Sequence, residues 1–121
     1  MFLQLNHQNL EAYKMARLLI KECYSITARL PPEERFSLIP QIRTAAISVK
    51  LNIAEGSSRK SLIERKRFYE ISRGSVVEID SAFETIIDLK YLKEEDFIDA
   101  AKSLNSSFAL ITKLIKAGGE K

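Results

Sequence analysis

The chain has 121 residues, of which 45% are hydrophobic and 29% charged, with four glycines, three prolines and a net charge of +3. This length suits a single domain, residues 1–121, with a real core, and the composition excludes a disordered chain and disfavours a turn-rich β fold. One cysteine, Cys23, excludes an internal disulfide, and one histidine, His7, leaves no four-ligand zinc set, so no metal and no cofactor is expected.

The first helix is expected from about Gln8 to Arg29. Ala12, Ala16, Leu19, Ile20, Cys23, Ile26 and Leu30 recur at spacings that line one face, and Met15, Leu18 and Tyr24 widen it. Cys23 falls within this apolar stripe and reads as a small core residue rather than a nucleophile. Pro31-Pro32 ends the helix, and Pro32-Glu33-Glu34 can start a short turn through Phe36.

The second helix is expected from Pro40, a first-turn residue, to about Glu55, with Gly56 as its stop. Ile42, Ala45, Ala46, Val49 and Ile53 form one face, while Ile39, Ile47, Leu51 and Ala54 lie elsewhere around it. A helix apolar on several sides is covered on several sides, either by the long third helix and the N-terminal arm or by another copy, and self-association is the favoured reading.

Ser61-Leu62-Ile63-Glu64 reads as a capping box that opens a long third helix to about Lys90. Phe68, Ile71, Ser75, Ile79, Ala82, Ile86 and Leu89 give it a heptad-like stripe. Gly74, mid-helix, costs on the order of 1 kcal/mol against alanine, so a close approach of another helix is expected there, with a kink as the alternative. Asn52, Glu55, Arg73 and Glu78 are polar residues beside apolar positions. They read as a buried network that sets helix register, rather than as a carboxylate site.

Glu94-Glu95-Asp96 suits the positive end of a fourth helix, which runs to about Lys116 before Gly118-Gly119. Its stripe is Phe97, Ala101, Leu104, Phe108, Ile111 and Ile115. Four helices on short links predict an all-α, antiparallel up-down-up-down four-helix bundle. No apolar run is long enough to span a bilayer and no leader pattern opens the chain, so the expected location is cytoplasmic, without membrane contact.

Charge is uneven. Residues 41–73 carry eight basic and three acidic side chains, whereas residues 74–121 carry six and nine. The basic group is Arg43, Lys50, Arg59, Lys60, Arg65, Lys66, Arg67 and Arg73. Three consecutive cations on a helix cannot all face a core, so the group reads either as an ordinary solvated face or as a surface for nucleic-acid phosphates or an acidic partner.

The segments QIRTAAISVKLNIAEGSSR, residues 41–59, and RFYEISRGSVVEIDSAFETIIDLKYL, residues 67–92, resemble the four-helix-bundle proteins of intervening sequences in bacterial 23S ribosomal RNA genes. The residues that carry the resemblance are Gln41, Arg43, Asn52 to Gly56 (with Glu55 among them), Arg59, Phe68, Gly74, Ser75 and Glu78. The resemblance implies a bundle that assembles into a ring, a homopentamer. It also relates the chain to accessory proteins of diversity-generating retroelements, which bind nucleic acid and work with a reverse transcriptase.

The expectation is therefore a non-catalytic homo-oligomer that binds RNA or DNA through its basic group. The alternative is a protein-interaction scaffold, with a reverse transcriptase as one partner and no nucleic-acid role of its own. No motif pairs a nucleophile with a base, and no Gly-rich loop precedes a helix.

Overall fold

The structure is a computed structural model and describes residues 2–120. Among them are four α-helices and no strand: α1 Glu11–Thr27, α2 Leu38–Ser57, α3 Leu62–Asp88 and α4 Ile98–Glu120. Short 3-10 turns at Asn6–Asn9, Pro32–Glu34 and Glu94–Phe97 precede α1, α2 and α4. Each helix packs on the next, α1 also packs on α4, and the α2–α3 pair shares the most extensive contact. All four helices feed one buried cluster, as in a four-helix bundle. Among the described residues no helix is long and apolar enough to cross a membrane.

In α1 the buried residues Ala12, Ala16, Leu19, Cys23 and Ile26 keep the expected alternation of four and three. Leu18 and Tyr24 are exposed, so the stripe is narrower than expected. The helix starts at Glu11 rather than Gln8 because residues 6–9 form their own turn.

α2 begins at Leu38, two residues before Pro40. Proline is tolerated there because the first-turn N–H groups have no partner within the helix. The helix runs through Gly56 to Ser57, so Gly56 is not its stop. A Cβ on Gly56 would lie 2.9 Å from Tyr69 Cε1 and 3.0 Å from Phe68 Cβ. The residue is glycine because α3 passes too close for any side chain.

α3 is capped as expected, with Ser61 Oγ accepting from the Glu64 N–H at 3.3 Å. Its buried stripe keeps Ser75, Ile79 and Ile86 of the expected one and is shifted at the other positions. Tyr69, Ser72, Val76, Ile79, Phe83 and Ile86 are buried, and Ser75 is buried beside them. Phe68 is half-buried, while Ile71 and Leu89 are exposed. Ser72 can lie inside because its hydroxyl donates to the Val49 carbonyl at 2.7 Å and so is not left unpaired in the core.

The helix ends in a Schellman-type cap. The Tyr91 N–H reaches the Ile86 carbonyl at 3.1 Å, with Lys90 at φ 64°. In α4 the stripe is Ala100, Ser103, Leu104, Ser107, Ile111 and Ile115, and Phe108 is exposed. The helix spans the two glycines read as its stop.

Candidate functional site

Gly74 faces open space, with nothing within 4 Å of a Cβ built on it. The close helix approach expected at this glycine is absent within the chain and occurs at Gly56 instead. Ile71 and Val77, three residues to either side of Gly74, are 45% and 52% exposed, and Leu51 on α2 is 57% exposed. The remaining apolar residues of α2 are covered or half-covered by the chain itself. The segment expected to be covered by another copy is thus covered largely by its own chain, Leu51 apart.

Between α2 and α3 lies an open groove lined by Gln41, Thr44, Ser48, Ser75 and Glu78, with Phe36 at its rim. Ser75 Oγ donates to Ser48 Oγ at 2.9 Å. Asn52 Nδ2 donates to the same hydroxyl at 3.0 Å and to the Ser48 carbonyl at 2.9 Å. The polar network that locks α2 to α3 is thus Asn52, Ser48 and Ser75. It excludes three residues assigned to it from sequence. Glu55 pairs with Arg59 on the surface, Arg73 turns to α4, and Glu78 is exposed on the groove wall.

Ser48 and Thr44 were missed as groove residues. The signal was present, since Gln41, Thr44, Ser48, Asn52 and Glu55 recur at spacings of three and four along one side of α2.

The structure divides the basic group among three places. Arg43 and Lys50 lie against α1. Arg43 Nε donates to Thr27 Oγ1 at 2.8 Å, and its guanidinium lies 4.4 Å over the Tyr24 ring. Lys50 Nζ is 5.7 Å over the Tyr13 ring. Arg73 faces α4, 3.3 Å from Thr112 Oγ1 and 5.7 Å over the Phe108 ring. These cations are engaged in holding helix pairs together.

The other five, Arg59, Lys60, Arg65, Lys66 and Arg67, gather at the α2–α3 corner. Arg59 pairs with Glu55 at 2.6 Å and lies over the Phe68 ring at 5.0 Å. Arg65 Nε donates to the Arg59 carbonyl at 2.6 Å. Lys60, Lys66 and Arg67 are exposed and make no ion pair among the described residues. A cluster of this kind, with little internal neutralisation, is suited to phosphate oxygens.

Cys23 is fully buried, and burial, with the Glu22 charge adding to it, pushes its thiol up to about 12. A thiol held protonated at neutral pH is a poor nucleophile.

A family model described as 23S rRNA-intervening sequence protein matches residues 8–113. No curated protein matches the sequence. The match spans all four helices, and the chain belongs to that family.

Proposed function

We propose that this member of the 23S rRNA-intervening sequence protein family is a non-catalytic homo-oligomer that binds RNA or DNA through the α2–α3 corner. In this reading each copy is an antiparallel up-down-up-down bundle and copies close into a ring, a pentamer by resemblance. The antiparallel arrangement is supported by the α2–α3 contacts, in which Gly56 meets Tyr69, Val49 meets Ser72 and Ser48 meets Ser75. Residue numbers rise along one helix as they fall along the other.

The observation that carries the binding role is the set of five cations between Arg59 and Arg67, of which one is ion-paired. Self-association is supported by Gly74. An exposed helix glycine forgoes about 1 kcal/mol of helix propensity, and Ile71 and Val77, three residues to either side on the same helix, are exposed and apolar, as is Leu51 on α2. A second copy packed over this face would account for both, and would repeat the cations around the assembly. Phe36, 83% exposed beside the Gln41–Glu78 groove, favours a second reading in which the groove receives a protein partner.

An anisotropy titration with labelled RNA at two salt concentrations tests the binding role. Affinity should fall as salt rises, because bound phosphates release counterions. Lys60→Glu, Lys66→Glu and Arg67→Glu together should abolish binding, while Arg43→Gln with Lys50→Gln should leave it near wild type. Equal affinity in wild type and the triple reversal would reject the corner as the interface.

A further inference from the structure

A cavity of about 580 Å³ opens at the end of the bundle where the turn at Asn6–Asn9, the link after α2 and the last turns of α4 meet. Pockets of 300–1,000 Å³ are the size range that takes small ligands. Its lining combines the apolar Leu5, Leu10 and Leu114 with the polar His7, Ser57, Arg65 and Tyr69. Among the described residues no carboxylate lines it.

The polar lining is arranged to donate. The bond from Arg65 Nε to the Arg59 carbonyl fixes the guanidinium plane, and among the described residues its terminal NH₂ groups have no partner. Tyr69 Oη and Ser57 Oγ lie 2.9 Å apart. Those two hydroxyls own two protons and consume one between them, so one O–H remains to donate outward. Asn6 lines the same cavity, and the His7 ring is steadied by an edge contact with Tyr13 at 4.8 Å.

Two guanidinium NH₂ groups, one hydroxyl, an imidazole and an amide exceed what the two oxygens of a carboxylate use. They match the three terminal oxygens and the negative charge of a phosphate.

We propose that this cavity binds a phosphomonoester carried on an apolar or aromatic body, of about the size of a nucleoside monophosphate. The phosphate meets Arg65, His7 and the Ser57–Tyr69 pair, and the body lies against the leucines. The same chemistry is presented by a free nucleotide and by the phosphorylated end of a nucleic-acid strand. The site requires neither assembly of copies nor Lys60, Lys66 and Arg67, so it stands apart from the function proposed above.

Calorimetric titration of the full chain tests it, with adenosine monophosphate, adenosine and inorganic phosphate as separate probes. The monophosphate should bind, with adenosine and phosphate each at least about tenfold weaker. Losing a charge-assisted hydrogen bond costs roughly 1.5–3 kcal/mol, so Arg65→Gln should weaken the monophosphate by about tenfold or more. Lys66→Gln with Arg67→Gln should not weaken it. His7→Ala, outside the buried core, should also weaken the monophosphate and keeps the test intact if Arg65→Gln unfolds.

An RNA octamer with and without a 5′-phosphate separates the two sources. A strand that binds more tightly than the mononucleotide and loses about tenfold without its phosphate identifies a strand end. A mononucleotide that binds at least as tightly as the phosphorylated strand identifies the free nucleotide. The proposal is overturned if the monophosphate binds no better than adenosine and phosphate, or if neither variant changes its affinity.

Discussion

Gly56 and Tyr69 meet so closely that a methyl group on Gly56 would lie 2.9 Å from Cε1 and 3.1 Å from Cδ1 of the ring. The ring cannot readily swing aside, because its hydroxyl is tied to Ser57 at 2.9 Å. Overpacking at such a contact typically costs 1–3 kcal/mol. Gly56→Ala should therefore lower the urea midpoint by an amount equivalent to about 1–3 kcal/mol. Adding Tyr69→Phe, which frees the ring to move, should make the further cost of Gly56→Ala smaller than in the wild type.

Lys90 closes α3 in the left-handed region, at φ 64°. A non-glycine residue there carries a local penalty on the order of 1–2 kcal/mol. Lys90→Gly should stabilise the fold by up to about 1 kcal/mol, the remainder being offset by the greater freedom of glycine in the unfolded chain. Chemical denaturation of the two proteins at equal concentration measures the difference.

How much of this was legible in the sequence differs from helix to helix. The centre of the α1 stripe, from Ala12 to Ile26, could be read directly because those buried positions are apolar. Its width could not, since Leu18 and Tyr24 are exposed and the polar Thr27 is buried. The α3 stripe could not, because Phe68, Ile71 and Leu89 look like core residues while Ser72 does not. Ser72 is inside because the Val49 carbonyl lies across from it, and no pattern within α3 alone announces an acceptor on another helix.

The two glycines exchanged roles for a related reason. Gly56 sits near a helix end and looks like a stop, and Gly74 sits mid-helix and looks like a crossing point. Only the placement of α3 against α2 decides which of them has a neighbour. The basic group was legible as a set of exposed or half-exposed cations. Its division into three was not, since Thr27 and Thr112, which hold Arg43 and Arg73, lie far off in the chain.

Burial raises the Cys23 thiol from 9.0 to about 12. The native protein should be inert to a disulfide exchange reagent at neutral pH and should react once denaturant is added, as a colorimetric thiol assay will show. A group whose pKa is raised on folding lends stability below its unfolded pKa and loses it as pH climbs through the folded value. The Cys23 contribution should thus decline between about pH 9 and pH 12, and Cys23→Ala should remove that part of the alkaline loss.

Asp96 joins the start of α4 to the end of α1. Its carboxylate accepts from the Lys93 N–H at 2.8 Å and from Arg29 at 3.1 Å. The Lys93 bond first, and Arg29 second, hold its pKa below the usual carboxylate value of 3.8. A depressed carboxylate lends stability above its unfolded pKa and loses it as pH falls through the folded value. The stability difference between wild type and Asp96→Asn should be constant near neutral pH and shrink below about pH 4, as unfolding midpoints across that range will show.

In the proposed assembly copies pack over the outer face of α3, where Gly74 lies open between Ile71 and Val77. Light scattering during size-exclusion chromatography measures this directly. Wild type should elute as a multiple of its 13.8 kDa chain mass, and Gly74→Arg should elute at the single-chain mass with its helix content intact. A wild-type mass of one chain, or a Gly74→Arg assembly of unchanged size, would rule out packing over this face.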